Sequence, residues 1–548
     1  MPKYVFVTGG VVSSLGKGIV AASIGLLLKS RGFSIAHQKL DPYLNIDPGT
    51  MNPKEHGEVF VTEDGAETDL DLGYYERFTG VDMSKNSSYS AGKIYDTILK
   101  KERKGGEYFG KTVQVVPHVV NEIQAAIRSV ADEKTDFVVV EIGGTVGDIE
   151  GFPFLEALRL FRQKEGYNNV YFIHVSLVPY LRKADEIKTK PTQHSVAKLR
   201  EIGIIPNMLV CRSEKFLDKE IRAKLGLFCN VDTDIVLESP DVKHTIYECP
   251  IAFAEQNIDT QILKHFDIRE YKDKDIGEWT EYIKNIRNIS KSKEETVIAL
   301  VGKYTEVLDA YKSIYESLIY AAASLKVRVT INMLSAESLE TNGAGDFEKA
   351  QDLLKNADGI LVPGGFGDRG IEGKITAVKY ARTNGIAYFG ICLGMQMAVV
   401  EYARNVLGLS EAASREIKPD TPHPVIALMN SQMEVVDKGG TMRLGSYPCK
   451  LLENSLAHKL YGQEAINERH RHRYEFNNDF REKMTQSGLV FSGQSPDGQL
   501  VEVVELPEHP FFIGVQFHPE FKSRPIKPHP LFVGFIEAAM KRKAVANA

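Results

Sequence analysis

The chain alternates short, wholly apolar runs with helical segments, and it does so twice. That alternation limits the possible folds more than any other feature. In the first half, strands are predicted at 4–7, 34–39, 136–142, 170–176 and 207–211. Helices separate them, as at Gly18 to Ser30, where Ile19, Val20, Ile24, Leu27 and Leu28 recur. A strand that is apolar at every position has both faces covered, and strands joined through helices run parallel. A polar segment, 267–295, interrupts the pattern and reads as an interdomain linker with some helix near Trp279 to Ile286. The second alternation starts at Thr296, with strands near 326–333, 358–363, 386–390, 424–428 and 511–517. At 548 residues the chain exceeds one core. The prediction is α/β: two domains with mainly parallel sheets, at 1–266 and 296–548.

A net charge of −6 supplies no basic field for nucleic acid or an anionic membrane. Arg469-His-Arg-His-Arg473 is locally basic, but Glu468 and Glu475 flank it. One arginine of that run gripping a substrate carboxylate fits better than nucleic-acid binding. Five cysteines without metal-ligand spacing point to a reducing cytosol. Tyr4 to Val7 enters a strand with no secretory leader before it, and no run is long enough to span a bilayer. The expectation is a soluble, cytoplasmic protein with neither nucleic-acid nor membrane partners.

Cys392 lies in Gly390-Ile-Cys-Leu-Gly394-Met-Gln396, after the apolar run Ile386 to Phe389. Glycines on both sides tolerate the sharp strand-to-helix turn that lifts a nucleophile out of a sheet. A helix N-terminus favours the thiolate. Far downstream, Phe517-His518-Pro519-Glu520 offers a base and a carboxylate to orient it. The chemistry implied is attack on an acyl group or amide; a lone Cys without these companions would be read as core. Leu361-Val-Pro-Gly-Gly-Phe-Gly367 suits backbone oxyanion donors, with a phosphate loop as the alternative.

The first strand runs into Gly9-Gly-Val-Val-Ser-Ser-Leu-Gly16-Lys17-Gly18 and then a helix, the setting of a phosphate loop. Lys17 would reach the outer phosphates. The spacing departs from the usual motif, and Gly18 stands where a metal-touching Ser or Thr is normal. Any metal therefore needs other oxygens. Glu141, ending the strand Phe137 to Glu141, and Asp71 are the candidates, against solvated surface acids as the alternative. Lys188-Thr-Lys-Pro-Thr-Gln193, ahead of a helical pattern from His194, is a candidate anion cradle or a solvated loop.

These motifs closely resemble the CTP synthase family over essentially the whole chain. The carriers are GGVVSSLGKG at 9–18, the block at 37–78, EIGGTVGDIEGFPFLEALR at 141–159, KTKPTQHSV at 188–196, GKYTEVLDAYKSIYESL at 302–318, and then PGGFG, GICLGMQ, RHRHRYE and QFHPE. The last four occur more widely among glutamine amidotransferases; the N-terminal blocks are specific. The resemblance implies a P-loop-like synthetase domain and a class I glutamine amidotransferase domain. It implies the reaction of UTP, ATP and L-glutamine to CTP, ADP, phosphate and glutamate.

By the same resemblance, Cys392, His518 and Glu520 form the catalytic triad. Gly365, Leu393, Gly394, Met395, Gln396, Glu416 and Arg473 bind glutamine. Ser14, Leu15, Gly16, Lys17, Gly18, Ile19 and Asp71 bind ATP, with Lys39 nearby. Asp71 and Glu141 hold Mg2+. Ser14, Asp148, Ile149, Glu150, Lys188, Thr189, Lys190, Pro191, Thr192, Gln193 and Lys224 contact UTP, and also CTP as feedback inhibitor. The family pattern adds GTP as allosteric activator and a homotetramer, with which filaments are compatible. Asn430-Ser431 departs from the expected Pro-Glu, in the amidotransferase half. Two other readings compete: an amidotransferase with a different acceptor, and a structural polymer. The blocks at 37–78 and 188–196 oppose the first, and intact Cys392, His518, Lys17 and Glu141 oppose the second.

Overall fold

The computed structural model describes residues 1–104, 106–108, 110–292, 294–340, 347–428 and 442–546. By contacts the chain divides into two units. Met1–Pro48 joins Asp71–Ile283, and Gly49–Leu70 joins Lys284–Ala548.

The first unit is built on seven strands: β1 (Lys3–Gly10), β2 (Ile35–Asp41), β3 (Ser88–Ser90), β4 (Phe137–Ile142), β5 (Val170–Leu177), β6 (Met208–Ser213) and β7 (Val236–Pro240). They lie in the order β7-β6-β5-β1-β4-β2-β3, and every pairing is parallel. Phe6, Val138, Val140 and Phe172 pack with Phe154, Leu158 and Phe161 of the helix Phe152–Glu165. Their neighbours Val5, Val7, Val139 and Ile173 are equally buried. Two covered faces explain why these strands show no polar alternation.

The second unit has nine strands: β8 (Glu295–Gly302), β9 (Arg328–Ser335), β10 (Gly359–Val362), β11 (Ala387–Ile391), β12 (Arg443–Leu451), β13 (Ala465–His472), β14 (Val490–Gln494), β15 (Val501–Glu505) and β16 (Phe512–Val515). Their order is β9-β8-β10-β11-β16-β15-β14-β12-β13. The first five pair in parallel. The other four extend the sheet antiparallel. Alternate residues fill two cores: Leu300, Phe389, Ile391 and Val515 on one face, Val301, Val362, Tyr388 and Phe512 on the other.

Two expectations need revision. The strand expected near 424–428 forms (His423–Leu428), but in a separate three-stranded sheet with Ala412–Ser414 and Tyr474–Phe476. The helix expected in the linker forms, as Gly277–Ile289, but it is docked and not a free connection. Its Trp279, Tyr282 and Ile283 are buried, and the indole donates to the Tyr247 carbonyl at 2.8 Å. The division between units falls inside this helix, after Ile283.

Gly49–Leu70 is the other departure from a simple boundary. Its hairpin, Phe60–Val61 with Glu67–Thr68, packs in the second unit. The Glu58 N–H donates to the Asp309 carbonyl, and the Glu58 carboxylate accepts from the Ser313 N–H at 2.9 Å. That carboxylate sits at the N-terminus of the helix Lys312–Leu325, where orphan N–H groups and the helix dipole favour it.

Candidate active sites

In the second unit the turn after β11 is strained as its sequence demands. Cys392 has φ 51° and ψ −103°, and the helix Leu393–Asn405 follows at once. A Cβ on Gly394 would lie 2.0 Å from the Val362 carbonyl oxygen, so only glycine lets this helix approach the sheet. The Cys392 N–H is committed to the Val515 carbonyl at 2.7 Å. An oxyanion at this thiol therefore needs other donors. The Leu393 N–H, at the helix N-terminus, and the Gly365 N–H are the candidates.

His518 follows β16, and its Nδ1 lies 2.7 Å from Glu520 Oε1. That bond fixes Nδ1–H on the carboxylate and leaves Nε2 to hold the proton taken from the Cys392 thiol. Thiol and imidazole converge: a Cβ on Gly364 would lie 2.9 Å from His518 Cε1 and 3.6 Å from Cys392 Cβ. Burial opposes charge on His518, but Glu520 and Cys392 more than offset it and push the imidazole up to about 10.

A small pocket beside Cys392 is lined by Gly365, Leu393, Gln396, Glu416 and Arg473. Five of the seven residues assigned to glutamine thus share one pocket, with an acid and a base to meet an amino acid's two charged ends. Gly394 and Met395 lie behind it, in the packing of helix on sheet. Burial raises the Glu416 carboxyl, against the pull of the Gly367 N–H, Lys303 and Arg473.

Sequence reasoning missed the supports of this pocket. Gln516 donates to Cys392 Sγ at 3.7 Å, and its place just before Phe517-His518 was the available signal. Lys374, wholly buried, donates to the Pro363 carbonyl at 3.1 Å. Lys303 donates to the carbonyls of Phe366, at 2.9 Å, and Gly367; burial lowers its ammonium to about 8. The two lysines hold the Pro363–Gly367 loop by its carbonyls. None of these three bonds has a sequence signature.

The basic run resolves into separate tasks. Arg473 lines the small pocket beside Cys392. Arg469 is fully buried and donates to the Val61 carbonyl at 3.1 Å. Arg471 bonds Glu67 at 2.8 Å and the Gly49 carbonyl at 3.1 Å. Two arginines therefore fasten Gly49–Leu70 in place. A cavity of about 620 Å³ opens from Cys392, His518 and Gly365 and is also lined by Gly49 to Lys54 and Tyr304. Asn430-Ser431 lies outside the described residues.

In the first unit, the loops after β1, β4 and β5 gather at the carboxyl edge of the parallel sheet, where α/β folds bind ligands. Ser14 and Gly16 have φ of 56° and 90°, and Leu15 is buried. The helix Lys17–Ser30 then begins and aims its N-terminus into the loop. Lys17 lies across Gly9, where a Cβ would be 2.6 Å from its Cδ, and its Nζ donates to the Gly144 carbonyl at 2.6 Å.

A Cβ on Gly18 would lie 2.6 Å from Asp71 Oδ1 and 3.2 Å from Glu141 Oε2. Two carboxylates occupy the space that the usual Ser or Thr would enter. Lys39 pairs with Asp71, and Tyr75 donates to Glu141. Burial and the Asp71 charge push Glu141 up to about 7, against Lys39 and Lys17. Among the described residues no group of three or more His, Cys, Asp or Glu is set to hold an ion. Two converging carboxylates suit Mg2+, which takes one or two of them and completes its shell with phosphates and water.

The remaining assigned residues lie on neighbouring elements. Asp148, Ile149 and Glu150 follow β4, and Asp148 Oδ2 accepts from the Thr145 N–H at 3.0 Å. Lys190 and Pro191 open the helix Lys190–Glu201. Thr192 donates to the Leu177 carbonyl at 3.0 Å, Gln193 donates to Thr189 at 3.1 Å, and half-buried Lys188 pairs with Glu186. Lys224 is on the next helix, Lys219–Cys229, which packs on the first. Among the described residues no helix is long and apolar enough to cross a membrane.

Two family models match the chain, one in each half. The family described as CTP synthase N-terminus matches residues 3–268, and Glutamine amidotransferase class-I matches 306–538. A CTP synthase of Caldanaerobacter subterraneus is 56% identical, covering 99% of each chain. A CTP synthase of Clostridium acetobutylicum is 56% identical, covering 98% of each. A solved Trypanosoma brucei CTPS glutaminase domain with bound acivicin is 40% identical, covering 45% of this chain and 94% of its own, at a TM-score of 0.42. With identity of this order along almost its full length, the chain belongs to the CTP synthase family.

Proposed function

We propose that the family's reaction, ATP-dependent amination of UTP to CTP with nitrogen from glutamine, is divided here between Cys392 and the loop around Lys17. Glutamine enters the pocket of Glu416 and Arg473. Cys392 attacks its side-chain amide, and the Leu393 and Gly365 N–H groups receive the oxyanion. His518, oriented by Glu520, returns the proton to the leaving ammonia; water then hydrolyses the glutamyl thioester.

ATP rests on Ser14 to Ile19, with Lys17 and Lys39 beside its phosphates. UTP takes Ser14, Asp148 to Glu150, Lys188 to Gln193 and Lys224. The uracil O4 is a poor leaving group, so ATP first phosphorylates it, and ammonia then displaces the phosphate. Asp71 and Glu141 would hold Mg2+, which would offset charge on the phosphates. Ammonia must arrive as NH3, because NH4+ has no lone pair, and a path shielded from water keeps it so.

The observation that carries this reading is the convergence of Asp71 and Glu141 over Gly18, beside Lys17 at a helix N-terminus. A phosphate loop with its own carboxylate pair, in a chain that also holds a Cys-His-Glu site, fits a synthetase better than a free glutaminase. CTP as inhibitor at the UTP site, GTP as activator, homotetramers and a cytoplasmic setting complete the proposal on the family pattern. Lys17→Ala tests it: CTP formation should vanish with both glutamine and ammonia. Retained ammonia-dependent synthesis would remove Lys17 from the phosphate site.

A further inference from the structure

A buried polar line runs beneath the phosphate loop. The last residues of β1, Thr8-Gly9-Gly10, lie in register with His174-Val175-Ser176 of β5. Thr8 Oγ1 is 3.2 Å from the Ile173 carbonyl and 3.0 Å from His174 Nδ1. His174 Nε2 is 2.8 Å from Ser195 Oγ. The single Thr8 proton goes to the carbonyl, so His174 Nδ1–H donates to Thr8 and Ser195 donates to Nε2. All three side chains are buried.

Ser195 belongs to the helix Lys190–Glu201, and its hydroxyl presses on the phosphate loop. A Cβ on Gly10 would lie 1.7 Å from Ser195 Oγ and 3.2 Å from His174 Nε2. The start of that helix is held to β5 as well: Ser176 donates to Thr192 at 3.1 Å. On the loop's other side, the Gly9 carbonyl accepts from the Val146 N–H at 2.8 Å, two residues before Asp148. Gly9 and Gly10 are thus bracketed by both segments assigned to the pyrimidine nucleotide.

We propose that Ser195 and His174 are positioning residues that transmit the placement of the phosphate loop to the Lys188–Gln193 segment, coupling ATP and UTP binding. This rests on the assignment of those two segments to the two nucleotides. Three apolar residues would pack β1 against the helix equally well. A satisfied hydrogen-bonded line fixes direction too, because each member has one geometry that satisfies it. A ligand that orders Gly10 orders the contact with Ser195, and the second ligand then meets less disorder; the effect is reciprocal.

The test is equilibrium binding of UTP to the full-length protein, with Mg2+ and no nitrogen donor, with and without a non-hydrolysable ATP analogue. In wild type the analogue should tighten UTP. Ser195→Ala and Thr8→Val, which cut the line at opposite ends, should each reduce that factor about fivefold. Each nucleotide's own Kd should stay within about twofold. Glutamine hydrolysis at Cys392 should be unchanged, which controls for folding. Full coupling in both variants, no coupling in wild type, or weaker binding of each nucleotide alone with coupling intact would each overturn the proposal. If Lys17→Ala still bound the analogue at full affinity, the phosphate-loop assignment would fall, and this proposal with it.

Discussion

Gly18 and Asp71 are in contact so close that a methyl group on Gly18 would lie 2.6 Å from Asp71 Oδ1. Gly18→Ser should therefore displace the carboxylate pair rather than restore a missing ligand. We expect CTP formation to fall at least about a hundredfold with either nitrogen donor. Glutamine hydrolysis should survive. Steady-state rates of both half-reactions check this, and an active Gly18→Ser enzyme would contradict the arrangement.

Glu520 keeps a proton on His518, and the consequence is a pH-dependent stability. Against the opposing effect of burial, Glu520 and Cys392 push folded His518 up to about 10 from an ordinary value of 6.5. The raised value means its contribution is fully present below pH 6.5 and is lost as pH rises through about 10. Thermal melts should place Glu520→Gln about 2–4 °C below wild type at pH 6, converging near pH 10. A gap constant across that range would show that the pair is not the cause.

Glu58 caps a helix that is distant from it in sequence. Glu58→Ala leaves the Ser313 N–H without its partner and removes a negative charge from the helix N-terminus. The expected cost is about 1–2 kcal/mol, read as a lower denaturant midpoint with unchanged slope. An unchanged midpoint would mean that Glu58 is not capping.

The sequence made the parallel strands legible because burial on both faces leaves continuous apolar runs such as Phe137 to Val140 and Ile386 to Phe389. The antiparallel half of the second sheet was less visible. β13 carries Glu468, Arg469, His470 and His472, all buried but paired, so its composition reads as a charged surface. The stretch near Trp279 to Ile286 reads as an amphipathic helix, but the Tyr247 carbonyl and ring that receive Trp279 carry no local signal. Short-range motifs located Cys392, Lys17 and Gly18. Contacts between residues far apart in the chain, such as Arg471 with Gly49 or Lys303 with Phe366, leave no local periodicity to read.

The most direct measurement of the central claim is CTP production by Cys392→Ala with glutamine and, separately, with ammonia. The account predicts no product with glutamine and near wild-type rates with ammonia. Loss of both activities in a folded protein, or synthesis that still runs on glutamine, would contradict it.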